Sequence, residues 1–475
     1  MASKWFWPGT IIAYFLFHTI YRTVMGGSLG LDEAQIMLDA QDFRLGYGPQ
    51  LPLYAWLQRI VFLITGSNLF SLALVKNALL CGLVLTLFYV LRTKYPPQTA
   101  GLVAVSLLLL PQISWENQRA LTHSVLVNFS AVVTFAVIWC IARRPSIAGY
   151  VALGLAFAIG GLAKYNYYLL PVAAFLAAST LPQIRKVFWT PKIVISLVIA
   201  AGLLFFPIQW VVENPDQSFA SARKFKIPQT RDTTLTAFLG IKAVFVSTFG
   251  FVLLMLVVSG LLLGVYKTPV VRENSNLGKM IWRMVGIGTL LVLLFVLMSG
   301  TTNVKERWLQ PLLIFSAPAM VLWLVARLSD KGVRRLAQVY FALVLLIIIG
   351  LPVHNLHGRA YRAAPFDKVT EEIHSQLPAG TTLIAPTWVA GNLFYFSPDT
   401  PIINGDFPKS PPLPTASTAL VWRGDELAEG KKYLQSRFPE LTRWQLTEHM
   451  VLIHPHRFSQ DEFVVSVARI IQVEE

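Results

Sequence analysis

Apolar runs, each nearly free of charge, alternate with short polar stretches over the first three quarters of the chain. Runs of about 18 or more such residues are long enough to cross a bilayer as helices. On this pattern the candidate spans are residues 5–21, 69–91, 100–111, 121–142, 147–163, 167–181, 192–211, 235–266, 280–300, 309–326 and 336–353, about eleven in all. The third is short for a full crossing, and the eighth is long enough to require tilt. Between the first two spans, "EAQIMLDAQDF" has helical spacing, and "LYAWLQRIVFLI", which carries Tyr54 and Trp56, is amphipathic. Both predict helices lying along the membrane interface.

Beyond residue 353 the pattern turns mixed. "FDKVTEEIHSQL" and "RGDELAEGKKYLQSRF" read as helices, and "TTLIAP", "STALVW" and "MVLIH" as short strands. Alternation of this kind predicts a small α/β domain, with "FPKSPPLPTAS" as a proline-rich loop inside it. The expected division is therefore a membrane domain over residues 1–353 and a soluble domain over residues 354–475. No solenoid-period repeat and no pair of inverted halves is visible.

Composition agrees with the pattern. Only 14% of the 475 residues are charged and 55% are hydrophobic, against roughly 25% charged in an average soluble domain. The first apolar run has no small-x-small site before the acidic stretch, so it reads as a retained span and not a cleaved signal. Cys81 and Cys140 lie inside apolar runs and indicate neither a disulfide framework nor a metal site. The net charge of +15 would suggest nucleic acid in a soluble protein, but here its distribution explains it. With the N-terminus in the cytoplasm, the inside loops hold Arg92 and Lys94; Arg143 and Arg144; Arg185, Lys186 and Lys192; Lys267, Arg272, Lys279 and Arg283; and Arg327, Lys331, Arg334 and Arg335. Every inside loop is then basic, as orientation in a bacterial inner membrane requires. An odd number of spans puts the C-terminal domain in the periplasm, and no nucleic-acid partner is needed.

The informative residues are the outer ones that this rule leaves over. The first outer loop carries Asp32, Glu33, Asp39 and Asp42, and the first two follow the first span closely. "SARKFKIPQTRD" places Arg223, Lys224, Lys226 and Arg231 outside, against the charge trend. "TTNVKERWLQP" adds Lys305, Glu306 and Arg307 at the start of a span, "GLAKYNYYLLP" adds Lys164, and "PQISWENQRALTHSVL" adds His123. Each has an ordinary explanation: solvated surface acids, a basic loop facing anionic lipid, snorkelling at a helix end, or a capping histidine. Together they put acids, bases and aromatics on one membrane face. Arg and Lys there are suited to charge-assisted bonds with a phosphate. No Walker sequence or dinucleotide glycine pattern is present, and no zinc signature. A substrate reaching an outer site must arrive activated without ATP or a nucleotide sugar, and a lipid carrying a phosphate-linked group meets that condition.

The pieces "LDEAQ", "GPQLPLYAWL", "RALTHSVLV", "GLAKYNYYLLP" and "VKERWLQPLL", in this order over roughly the first two thirds of the chain, resemble the GT-C glycosyltransferases that use polyprenyl-phosphate sugars. The resemblance is to the bacterial branch of the dolichyl-phosphate-mannose protein mannosyltransferase superfamily, which includes lipid A aminoarabinose transferases and rhizobial lipopolysaccharide galacturonosyltransferases. It implies an α-helical polytopic fold of GT-C type with a small periplasmic α/β domain. It also implies that Asp32 is the catalytic base with Glu33 beside it, and that Arg223 and Arg231 lie where relatives hold a donor phosphate. Lys224, Lys305, Arg307 and Lys164 are further candidates for that phosphate, and His123, Tyr54 and Trp56 for acceptor or supporting contacts. The sequence departs from the family in two places. Gln50 and Leu51 stand where aminoarabinose transferases have an acid–lysine pair, which leaves a divalent metal open, and His123 stands where relatives often have an aspartate.

The expected activity is inverting transfer of a sugar from a polyprenyl-phosphate donor to an acceptor at the periplasmic face, with lipopolysaccharide core or lipid A preferred and a protein acceptor open. A transporter or flippase for a lipid-linked sugar is the rival, but it should bury ionisable groups near mid-membrane, whereas the centres of these spans are almost free of charge and the main exception, Lys76, lies toward the outer end of the second span. A scaffold whose tail recruits envelope partners would leave Asp32 without a role.

Overall fold

A computed structural model describes residues 5–227, 233–268, 275–356, 359–407, 417–439 and 444–472. Contacts group the chain into two units, Met1–Thr19, Arg44–Tyr54 and Lys76–Ile348 in the first and Ile20–Phe43, Ala55–Val75 and Ile349–Glu475 in the second. Three N-terminal helices recur below: α1 (Phe6–Met25), α2 (Leu31–Asp39) and α3 (Leu53–Thr65).

Among the described residues, six helices are long and apolar enough to cross a membrane: Leu69–Arg92, His123–Arg143, Ile193–Glu213, Thr234–Tyr266, Asn276–Ser299 and Asp330–Leu356. Two bent pairs, Pro97–Leu109 with Gln112–Arg119 at 80° and Glu306–Leu313 with Ser316–Val325 at 51°, bring the number to eight if each is one span. The remaining apolar runs of the expected eleven correspond to α1, to the 17-residue helix Ile147–Ala163 and to the 11-residue helix Leu169–Ser179. Both bends have a proline cause. Leu110, just before Pro111, is extended at φ −109° and ψ 99°, because a residue preceding proline is pushed out of the helical region. Pro318 cannot donate to the carbonyl four residues back, at Ile314, and the second break falls there.

In the first unit the helix His123–Arg143 is the most enclosed, with 72% of its apolar window buried, against 22% for Ile193–Glu213. The outer helices leave large apolar side chains such as Phe205, Phe206 and Phe245 exposed, as a lipid-facing surface requires. Small residues set the closest contacts. A Cβ at Gly154 would sit 2.7 Å from the Ser196 carbonyl oxygen, and the Ser196 hydroxyl donates to the Tyr150 carbonyl at 2.6 Å. An apolar cavity of about 130 Å³ opens among Ile11, Phe15, Leu80, Leu83, Val84 and Leu107.

The second unit carries a five-stranded sheet of β1 (Thr382–Ala385), β2 (Ile402–Asn404), β3 (Thr418–Arg423), β4 (Trp444–Pro455) and β5 (Glu462–Gln472), in the order β2-β1-β3-β5-β4. β1 runs parallel to β2 and β3, β3 pairs antiparallel with β5, and β4 and β5 form an antiparallel pair with an irregularity between Thr447 and Met450. Ile384, Leu420, Trp422, Leu434, Phe438, Leu446, Ala468 and Ile470 make one of its buried clusters. β2 and β5 are additional to the strands expected from the sequence. So is the company the sheet keeps: α2 packs on the helix Thr387–Phe396 within this unit.

Candidate functional site

The turn between α1 and α2 is built from glycine. Gly26 and Gly27 have φ of +63° and +76°, the left-handed region that glycine alone enters without cost. A Cβ at Gly27 would lie 2.6 Å from the Arg362 carbonyl oxygen. This tight exit delivers α2 with Asp32 and Glu33 in its first turn, where the free N–H groups of a helix favour carboxylates.

The two acids have different environments. Asp32 is partly exposed. Glu33 is 3% exposed and held between two guanidinium groups. Arg22 donates from Nε to Oε1 at 3.1 Å and from Nη2 to Oε2 at 3.0 Å. Arg362 donates from Nη2 to Oε1 at 2.6 Å and from Nε to Oε2 at 3.3 Å. The Gly30 N–H adds a bond to Oε2 at 2.9 Å. Such two-pronged charge-assisted pairing satisfies a buried carboxylate and fixes its orientation. Burial pulls the Arg362 guanidinium below its ordinary pKa, the charge of Glu33 opposes that pull, and Arg22 adds to it. Glu33 is thus fully engaged within its own unit, whereas Asp32 reaches the surface beside it. Asp39 is buried and Asp42 partly buried.

In the first unit the basic segments are drawn together by polar and aromatic contacts. Asn303 donates from Nδ2 to the Lys224 carbonyl at 2.7 Å, and the Thr302 hydroxyl donates to the Lys226 carbonyl at 2.7 Å. The Phe225 ring packs edge-on to Trp308 with centroids 4.9 Å apart. The Trp308 carbonyl accepts from Asn166 Nδ2 at 2.8 Å. Two residues before Asn166, Lys164 Nζ donates to the Ser124 hydroxyl at 2.8 Å. This chain of contacts links the segments that carry Lys164, Lys224, Lys305 and Arg307, which lie in three separate stretches of the sequence. Lys224 and Lys305 are exposed and Arg307 partly so. Arg231 lies outside the described residues, as does the side chain of Arg223.

His123 opens the central helix beside Ser124 and is 4% exposed. Its ring lies 5.2 Å from that of Tyr54, and among the described residues neither ring nitrogen has a hydrogen-bond partner. Tyr54 is buried and Trp56, on α3, is partly buried. Glu306 accepts from Gln112, Gln310 from Asn128 at 2.9 Å, and Glu116 pairs with Arg119 at 2.8 Å. Lys76, on the helix Leu69–Arg92, is 3% exposed and donates to the Gln118 carbonyl at 3.1 Å. Among the described residues no group of three or more His, Cys, Asp or Glu is placed to hold a metal ion.

Residues 48–210 match the family model of the dolichyl-phosphate-mannose-protein mannosyltransferases. Over 432 residues the chain is 30% identical to the lipopolysaccharide core galacturonosyltransferase RgtB of Rhizobium johnstonii, a match covering 87% of this chain and 86% of the relative. The chain belongs to this family of GT-C glycosyltransferases. RgtA, another lipopolysaccharide core galacturonosyltransferase of that organism, is 29% identical over 443 residues, covering 88% of this chain and 86% of the relative. The crystal structure of ArnT from Cupriavidus metallidurans bound to undecaprenyl phosphate superposes with a TM-score of 0.65 over 98% of both chains. At 13% identity that likeness shows a shared GT-C fold. The glycosyltransferase is accordingly a multi-pass membrane enzyme, and the transporter and scaffold readings fall away.

Residues important to this geometry that the sequence did not single out are Arg22, Arg362, Asn166 and Asn303. The link from Arg362 to Glu33 spans 329 positions, and no local pattern encodes such a pairing. Arg22 alone left a trace, as an arginine in the last turn of an apolar helix.

Proposed function

We propose that this glycosyltransferase moves galacturonic acid from a polyprenyl-phosphate donor to the lipopolysaccharide core at the periplasmic face of the inner membrane. Identity of 30% sustained over 86% of a lipopolysaccharide core galacturonosyltransferase is the observation that carries this reading. In the reaction an acceptor hydroxyl oxygen forms a bond to the anomeric carbon and the bond from that carbon to the phosphate oxygen breaks, with inversion. The hydroxyl proton passes to Asp32 as general base. The departing phosphate takes the electron pair, and cations stabilise its charge. Arg223, Lys224, Arg231, Lys305, Arg307 and Lys164 are the candidates for that stabilisation, and the contacts among their segments favour Lys164, Lys224, Lys305 and Arg307 acting as a group. Glu33 acts through position and not by touching substrate. His123, with Tyr54 and Trp56, is assigned to acceptor or sugar contacts. The apolar cavity beside α1 suits part of a prenyl chain. Mass spectrometry of envelope glycolipids from cells with and without the gene tests the assignment: loss of a hexuronic acid from the core is expected, and an unchanged core contradicts it.

Two further results are expected. Lys224→Ala, Lys305→Ala and Arg307→Ala should each weaken use of the donor, since a charge-assisted bond is worth about 1.5–3 kcal/mol, or roughly one to two decades. Donor KM and kcat in detergent measure this, and normal kinetics in all three variants would move the phosphate site elsewhere. The proposed topology has eleven spans, a cytoplasmic N-terminus and a periplasmic domain after residue 353. Reporter fusions after Arg144, Lys186 and Arg335 should then report cytoplasm and a fusion at Glu475 periplasm. A cytoplasmic C-terminus would overturn the placement of the reaction.

A further inference from the structure

The C-terminal domain of a membrane transferase could be a recruitment module, but its contacts with the α1–α2 turn are of another kind. Segment 25–34 is fastened residue by residue to residues of the same unit that come after position 360. Arg457 Nη1 donates to the Met25 carbonyl at 3.4 Å. The Ser28 N–H donates to the Arg362 carbonyl at 3.1 Å, and the Ser28 hydroxyl to the Ala364 carbonyl at 2.6 Å. Leu29 gives its N–H to Asn392 Oδ1 at 2.7 Å and receives the Trp388 indole N–H on its carbonyl at 2.8 Å. Arg362 grips Glu33, as described. Gly391 lies so close to α2 that a Cβ there would sit 2.3 Å from the Ala34 carbonyl oxygen. Trp388 is itself locked edge-on between Phe366 and Phe463, at centroid distances of 5.1 Å and 5.9 Å. The N–H and the carbonyl of Leu29, three residues before Asp32, are thereby each held by a buried side chain.

We infer that the C-terminal α/β layer is the mount of the catalytic carboxylate: Arg362, with Asn392, Trp388 and the close approach at Gly391, positions Asp32 by clamping Glu33 and the backbone that precedes it. The inference rests on the reading of Asp32 as general base. These are positioning residues, and none is assigned a contact with substrate. The layer therefore acts on the chemical step, not on donor affinity. A carboxylate must be held in a near-attack geometry, and a displacement of about 1 Å costs on the order of a hundredfold in rate.

Gly391→Ala is the most direct probe. It alters no polar group and forces the backbone of α2 to shift. Purified full-length Gly391→Ala, Arg362→Met and Arg362→Lys would be assayed in detergent for kcat and donor KM, with Asp32→Asn alongside and thermal midpoints for all four. The result expected is a kcat lowered roughly a hundredfold in Gly391→Ala with donor KM within about twofold of wild type, a comparable loss in Arg362→Met, and partial recovery in Arg362→Lys, which keeps the charge. Normal kcat in Gly391→Ala and Arg362→Lys while Asp32→Asn is dead would overturn the inference and leave the base assignment standing. Full activity of Asp32→Asn would instead remove the base assignment, and the inference with it. Should Arg362→Met fail to fold, Gly391→Ala and Arg362→Lys decide. Because only purified components are present, a merely recruiting domain would leave kcat unchanged.

Discussion

Asp32→Asn is expected to lower sugar transfer by about two to four decades, the usual cost of removing a general base, while donor binding and folding survive. The side chain sits in the first turn of α2 and is partly exposed, so the amide replaces the carboxylate without loss of packing. Its neighbour gives the contrast. Glu33→Gln keeps the shape, and Gln can still accept from one guanidinium, so its effect on rate should be smaller. Single-turnover rates in detergent, with donor binding measured in parallel, separate the two. Near-normal turnover in a folded Asp32→Asn protein would return the base to Asp39 or Asp42.

Removing the Glu33 carboxylate outright should act on stability before it acts on chemistry. Glu33→Leu leaves Arg22 and Arg362 buried, at 4% and 5% side-chain exposure, with their shared counter-charge gone. Breaking a buried ion pair from one side typically costs about 3–5 kcal/mol, and here two cations lose one anion. The expected result is a large drop in the unfolding midpoint of the detergent-solubilised protein, and a C-terminal domain more readily cleaved by protease. An unchanged midpoint would mean that the clamp contributes little to folding. The double variant Arg362→Met with Glu33→Leu should recover part of the loss, because one buried cation is removed together with the anion.

Long apolar helices are readable because hydropathy alone specifies them. The run at 69–91 becomes the helix Leu69–Arg92, and that at 280–300 falls within Asn276–Ser299 except for Gly300, which caps the helix. Bends are less readable: the run at 309–326 stays apolar through its break, and only Pro318 marks where the ladder of hydrogen bonds fails. β2, three residues long, is too short for period-two alternation to register. In the candidate site, Asp32 is visible from its place just after a span, since membrane depth follows from the count of apolar residues. The surroundings of Glu33 are invisible, since both its charged partners depend on tertiary folding. The same holds for Asn166 and Asn303, whose side chains bond to backbone carbonyls at Trp308 and Lys224 and carry no signature of their own.

The decisive measurement is mass spectrometry of a reaction containing detergent-purified enzyme, a polyprenyl-phosphate-linked galacturonic acid and isolated lipopolysaccharide core. Addition of one hexuronic acid to the core, with inverted anomeric configuration, release of polyprenyl phosphate and no product from Asp32→Asn, is the result expected. A folded wild-type enzyme that binds the donor yet leaves the core unmodified would contradict it.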